Sequence, residues 1–491
     1  MVLADVLKRW QVLKGETAIL CTGTDEHGMK IQRAAAQAGT LPKEFCDIGA
    51  ETFKKLAQGA GLSNDHFVRT TDQDHKETVE YIWYMLKERE YIYESKHEGW
   101  YCVSDETFYP ESAIEKRLDP FTGRTFIASQ ETGKEVEWTS EKNYHFRLSA
   151  FKDQLLEFYE KNPDFVVPLT RMKDVVNQVS KGLEDLSISR PFDRLSWGIR
   201  VPDDESQTIY VWLDALVNYI TKAGYPWAPG NETVGGWPAD VQVIGKDIVR
   251  FHCIYWPAFL LALNLQPPKQ ILTHAHWTMD NQKMSNRCDA ILPDTRWGIK
   301  EDSGYGNEYI VERYKKGLQK GLGNLVSRLT RPKVWNVRSC VENAHSGGLP
   351  NPNISTFQQM DSLDNVRSKV NDKMQDLNPG AALHIIMDTV FETNKYLQDE
   401  APWNLARLED PEAKGRLVST VYHAAEAVRI VGILLQPYMP EKASLLLDMI
   451  GVAPERRTYE YARRGADPSY GDAQAPLGHE RYHVKKPNIP A

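Results

Sequence analysis

TAILCTGTDEHG, residues 17–28, reads as a short buried strand, Thr17 to Thr22, that runs directly into the polar loop Gly23-Thr24-Asp25-Glu26-His27-Gly28. The residues after it, 28–38 and 42–60, have helical spacing, and Asp74 to Glu90 forms another amphipathic run. A strand, a polar turn and then helices is the rhythm of an α/β fold with a parallel sheet. In such sheets ligands bind beyond the carboxyl ends of the strands, where Asp25 stands. A carboxylate there can hold a ligand ammonium through a charge-assisted hydrogen bond. The same residues also fit an Asx-turn cap for the next helix, or a metal pair made by Asp25 and His27.

Outward from that stretch, Val2, Leu3, Val6, Leu7, Trp10 and Leu13 follow helical spacing, so the chain opens inside an amphipathic helix. No signal peptide or Arg/Ser-rich transit segment is legible there. From Gly99 to Trp138 short aromatic strands alternate with turn residues, which predicts a small β-rich insertion. The α/β pattern returns at Thr208 to Leu213, Val241 to Ile244 and Ile271 to His274. From Glu308 on the pattern is helical. Leu318, Leu322, Leu325 and Leu329 make an apolar stripe, and further amphipathic runs cover about 357–377, 380–399 and 411–436, predicting a helical bundle.

At 491 residues the chain is expected to hold two or three domains. It is 41% hydrophobic and 26% charged, as globular proteins are. Its most apolar run, Tyr255 to Leu265, is interrupted by Pro257 and Asn264 and is too short to span a bilayer. None of the six cysteines forms a C-x-x-C pair, so reduced thiols and no zinc knuckle are expected. The net charge of −8 argues against non-specific nucleic-acid binding by the whole surface. Between Tyr309 and Arg338, however, eight Lys or Arg accompany one acid, Glu312. This stripe suits a specific anionic partner as well as a solvated helix face.

Four further constellations could carry chemistry. Trp212 and Tyr219, in Tyr210-Val211-Trp212-Leu213-Asp214, could wall an apolar pocket or be core aromatics. Gly245 ends a strand and Asp247 sits where a helix would begin, a place that suits a ribose or phosphate. Ile248, His252 and Trp256 follow on one helix face, where they could surround a thioether. Lys283-Met284-Ser285 is a loop lysine of the kind that binds polyphosphate. In the helical region Lys320, Asn324 and Arg328 lie opposite the leucine stripe. Asn324 and Arg328 could read base edges, with Trp403 stacking on a base or lying in the core.

Taken in order, GTDEHGMKIQ (23–32), SEKNYHFRLS (140–149), YVWLDALVNYI (210–220), VIGKDIVRFHCIYWPAFL (243–260), HAHWTMDNQKMS (274–285), GLGNLVSRL (321–329) and DEAPWN (399–404) resemble the class I aminoacyl-tRNA synthetases, and the methionyl enzymes in particular. The resemblance implies a Rossmann-like parallel-sheet catalytic domain whose first strand is missing. Its halves would be 1–98 and 146–300, separated by a connective β-rich insertion at 99–145. An all-α anticodon-binding bundle at 301–455 and a largely disordered tail at 456–491 would follow. The implied reaction joins methionine to ATP, accompanied by Mg²⁺, and passes the methionyl group to tRNA(Met). Asp25 would hold the ammonium, and Trp212, Tyr219, Ile248 and His252 would shape the side-chain pocket. Gly245, Asp247 and His274 would contact the adenosine, Lys283 and Ser285 the ATP phosphates, and Asn324, Arg328 and Trp403 the anticodon.

No metal ligands are expected. The lone Cys102 and the wording GWYCVSDETFYPES resemble the zinc-free mitochondrial type. A mitochondrial matrix location is therefore expected, with the cytoplasm as the alternative, and a monomer not bound to membranes. Two departures stand out. The HIGH-type signature that precedes the residue 2–14 helix in the family is not in the sequence. In addition, Asn286 replaces the second lysine of the KMSKS pattern, after which the text jumps to GIKEDSGYGNEYIVERY. Weak adenylate formation and a poorly stable N-terminal sheet are the expectations. The alternative is a non-catalytic relative that binds tRNA.

Overall fold

The computed structural model describes residues 1–103, 107–119, 123–228, 230–279, 282–283, 303–304 and 306–472. They fall into two compact units. One spans Ile19–Ala275, and the other joins Val2–Ala18 to the chain from His276 on.

In the first unit the strand expected to lie buried at Thr17 to Thr22 is found further along, at Cys21–Thr24, with none of its residues fully buried, and it takes in Gly23 and Thr24 because they pair in parallel with His66–Arg69, from Cys21↔His66 to Thr24↔Arg69. Gly23 is required in this pair. A Cβ on it would lie 1.9 Å from the Val68 carbonyl oxygen. The helices Met29–Gln37, Pro42–Gly59 and Gln73–Glu88 occupy the expected places, the second with Pro42 pre-setting its first turn. A second parallel sheet joins Val241–Gly245, Gln270–His274 and Val166–Val167. Among the described residues no ladder connects it to the Cys21–Thr24 pair, so the Rossmann-like parallel strands stand in two separate sheets.

The β-rich insertion is rooted earlier than expected. Its main ladder is the antiparallel pair Ile92–Cys102 and Glu137–Phe146. The strand expected at Thr208 to Leu213 ends at Ile209 and belongs to an antiparallel sheet with Ser189–Pro191 and Arg200–Val201. A helix, Val211–Thr221, takes over. The run Ile209-Tyr210-Val211-Trp212 has strand-like composition, but Leu213, Leu216, Val217 and Ile220 repeat at helical spacing and are buried. Stacked and edge-on rings of Phe146, Phe151 and Phe259 lie in the core beneath.

The second unit is a helical bundle built on Ile354–Gln375, Pro379–Glu400 and Pro411–Leu435. Asn353, Asn378 and Asp410 cap these helices, each accepting a backbone N–H three residues on. Pro411–Leu435 is long and apolar enough to cross a membrane by length and composition, but 89% of its apolar window is buried inside the bundle. Leu322, Leu325 and Leu329 of the expected stripe are buried in this core.

Two placements differ from expectation. The helix Val2–Leu13, assigned by the sequence to residues 1–98 of the catalytic half, packs its buried Val6, Trp10 and Leu13 into the bundle core. Trp10 meets the Tyr459 ring edge-on at 5.4 Å. Amphipathic periodicity shows that a helix has an apolar face, not which unit covers it. In the expected tail, residues 456–472 are ordered against the bundle, with Asp467 and Tyr470 fully buried. A buried ion pair, Glu426–Arg429, receives them: Arg429 donates to Tyr461 O and Arg463 O. The remainder of that tail lies outside the described residues.

Candidate active site

The TDEHG loop is anchored on both sides of Asp25. Glu26 is buried and receives hydrogen bonds from Thr24 Oγ1 (2.6 Å), Thr71 Oγ1 (2.5 Å) and, bidentately, Arg69 (2.7 and 2.9 Å). Burial pushes its carboxyl up, but these donors outweigh that and hold it below the usual range. His27 is buried and turned inward. Its Nδ1 lies 2.6 Å from Asp214 Oδ2, and its ring meets Trp197 edge-on. Gly28, at φ 104°, makes the left-handed turn that starts the next helix. Asp25 is the exposed residue between these anchors. Of the two residues of the metal-pair alternative, Asp25 is exposed, and His27 is buried with its Nδ1 on Asp214. Among the described residues no group of three potential ligands is arranged around a metal.

Asp25 lies close enough to Tyr219 for its charge to act on the phenol. Burial pushes the Tyr219 hydroxyl well up, and Cys21 and Asp25 push it the same way. Tyr219 keeps its proton and donates it to His252 Nε2 at 2.8 Å. His252 Nδ1 then donates to Ile248 O at 3.0 Å, so the imidazole is neutral. Burial lowers its pKa to about 4, against the opposing pull of that backbone bond. Trp256 flanks Tyr219 at 6.2 Å between ring centroids. The segment that carries Ile248 and His252 opens as a 3-10 turn, Lys246–Ile248, and widens into a π-helical turn, Phe251–Tyr255. Such turns recur at functional sites, and the regular helical face expected here did not foresee this one. Trp212 stacks on Phe251, with ring planes 10° apart.

Gly245 and His274 are register partners at the carboxyl ends of adjacent parallel strands. Asp247 follows Gly245, exposed. Asp25, Tyr219, Ile248 and His252 are thus brought together, while Gly245, Asp247 and His274 share one strand-end neighbourhood. Lys283 is described only as backbone, paired with Thr278, and Ser285 lies outside the described residues.

In the helical unit, Asn324 and Arg328 lie on the helix Asn324–Thr330. Arg328 Nη1 donates to Asn394 O, its Nη2 donates to Gln398 Oε1, and its guanidinium lies 4.9 Å from the Trp403 ring centroid. Asn324 Nδ2 donates to Asn394 Oδ1 at 3.3 Å. Trp403 is half-buried rather than in the core. The three expected readers therefore form one surface, with Asn394 behind them.

Sequence reading missed Arg69, His75, Asp214 and Asn394. Asp214 left a signal: an acid inside Trp212-Leu213-Asp214-Ala215-Leu216 must be buried, and a buried acid needs partners.

Residues 1–297 match the family described as tRNA synthetases class I (M). The chain is 54% identical over 505 residues to the probable mitochondrial methionine–tRNA ligase of Neurospora crassa, covering 98% of this chain and 81% of that protein. It is 39% identical over 485 residues to the human mitochondrial methionine–tRNA ligase, covering 93% of this chain and 81% of the other. The crystal structure of Mycobacterium tuberculosis methionyl-tRNA synthetase bound by methionyl-adenylate superposes with a TM-score of 0.83 at 33% identity, covering 97% of this chain and 95% of that one. With a matched family over most of the catalytic residues and relatives aligned along nearly the whole length, the chain belongs to the class I aminoacyl-tRNA synthetases, as a methionine–tRNA ligase.

Proposed function

We propose that Asp25 binds the ammonium of methionine and that Tyr219, His252, Ile248 and Trp212 enclose its side chain. The observation that carries this reading is the convergence of Asp25, Tyr219 and His252 from three separate elements, one of them the loop beyond a parallel strand. A neutral His252, held by Tyr219 and Ile248 O, leaves an uncharged wall suited to a thioether. Gly245, Asp247 and His274 hold the adenosine, and Lys283 and Ser285 act on the phosphates. A methionine carboxylate oxygen attacks the α-phosphorus of ATP and pyrophosphate leaves. The tRNA 3′ hydroxyl then attacks the acyl carbon and AMP leaves. The residues contribute chiefly positioning and electrostatics. Mg²⁺ accompanies ATP through the phosphate oxygens.

Asn324, Arg328 and Trp403 read the anticodon of tRNA(Met), with Trp403 and the Arg328 guanidinium offering planar faces to splayed bases. We assign no zinc to the insertion: Cys102 is buried against Tyr109 and Val136. A mitochondrial matrix location is supported by the names of the Neurospora crassa and human relatives.

With Asn286 in place of the second signature lysine, activation is slow. Methionine-dependent pyrophosphate exchange tests this. Asn286→Lys raises the rate by about tenfold or more, the scale of one transition-state charge contact. Equal rates in both chains refute the assignment. Tight tRNA binding with no exchange in either would instead favour a tRNA-binding relative without catalysis.

A further inference from the structure

Asp214 is fully buried on the helix Val211–Thr221, among Leu213, Leu216 and Val217. Two imidazoles from distant parts of the chain meet its carboxylate. His27 Nδ1 lies 2.6 Å from Oδ2, and His75 Nε2 lies 2.7 Å from Oδ1. Burial pushes the carboxyl up, but the charges and hydrogen bonds of His27 and His75 outweigh it and hold it at about 2. An ionised carboxylate only accepts, so both nitrogens donate, which fixes the rotation of each ring. His75 is held from its other nitrogen by Thr221 Oγ1 at 3.1 Å, on the same helix as Asp214. Trp197, edge-on to His27, donates its indole N–H to Glu26 O.

The loop is therefore tied to two different bodies. Glu26 binds it to Arg69 and Thr71 on the strand side. His27 binds it to the helix that also carries Tyr219. We propose that Asp214 is the positioning residue of the amino-acid site. Through His27 it sets where the Asp25 carboxylate stands, and so keeps the ammonium site in register with the side-chain pocket. This rests on the reading of Asp25 as the ammonium's partner. Asp214 touches neither substrate nor cofactor; it acts by holding the neighbour of the residue that does.

The test is calorimetric titration of the full chain with L-methionine and with 4-(methylthio)butanoate, which keeps the carboxylate and thioether but lacks the ammonium. Asp214→Asn and His27→Leu each weaken methionine binding by about tenfold, the scale of one charged hydrogen bond, and leave the analogue within about twofold. His27→Asn, which retains an N–H donor near the Nδ1 position, recovers most of the loss. Asp25→Ala weakens methionine alone, and adding Asp214→Asn to it costs nothing more. That last comparison decides the matter even where the analogue binds too weakly to titrate, and His27→Leu replaces Asp214→Asn should the latter not fold. Equal losses for both ligands, or additive losses in the double variant, overturn the positioning role. If Asp25→Ala leaves methionine binding unchanged, it is the ammonium reading that falls.

Discussion

Replacing Arg429 by Met strikes the buried pair that holds residues 459–470 to the bundle. Arg429 donates bidentately to Glu426, at 2.8 and 2.9 Å, with both side chains fully buried. It also donates to Tyr461 O at 2.5 Å and Arg463 O at 2.7 Å. Met fills much of the same volume but leaves the Glu426 charge without its hydrogen-bonded cation, which costs roughly 3–5 kcal/mol. The two abandoned carbonyls add about 1 kcal/mol each where the segment cannot move to reach water. A total of roughly 5–7 kcal/mol is a large part of a domain's ~5–15 kcal/mol. The double change Glu426→Gln with Arg429→Met removes the orphaned charge, so it should recover at least half of the loss. Hydrogen exchange on Pro411–Leu435, read with denaturant unfolding, measures both variants within the bundle itself. A single variant within about 1 kcal/mol of the parent, or a double variant worse than the single, would refute the reasoning.

Two other outcomes follow from the geometry. The folded-state pKa of His252 is depressed from 6.5 to about 4, so its contribution to stability is complete above pH 6.5 and declines as pH falls towards 4. The total is roughly 3 kcal/mol, and His252→Gln should abolish that part of the slope in denaturant titrations across the window; an unchanged slope would show that His252 does not titrate there. Gly23→Ala would set a Cβ 1.9 Å from Val68 O and 2.6 Å from Val68 Cγ1, forcing the two strands apart at a cost of about 3 kcal/mol. Amide protection at Cys21–Thr24 should collapse; full protection would contradict the close approach.

Much of the architecture could be read from residue order because local chemistry carries it. The polar TDEHG run after an apolar strand placed the loop, and the leucine stripe placed the bundle. The strand His66–Arg69 was not legible. At four residues with charged or polar ends it has no alternation to detect, and its identity comes from pairing with Cys21–Thr24. The start of the helix at Val211 was likewise hidden, because β-branched and aromatic residues serve either structure when buried. The pocket residues came from the family resemblance. Their supports did not, since His27, Asp214 and His75 meet only when three separate segments fold together.

The placement of Val2–Leu13 in the bundle gives the chain an awkward order of synthesis. Trp10 leaves the ribosome hundreds of residues before its partner Tyr459. At ~5–20 residues per second, the apolar face of that helix must wait some tens of seconds for its cover. The intervening unit, Ile19–Ala275, is complete long before the bundle can close. Until then Val6, Trp10 and Leu13 stand without the core that buries them in the finished enzyme.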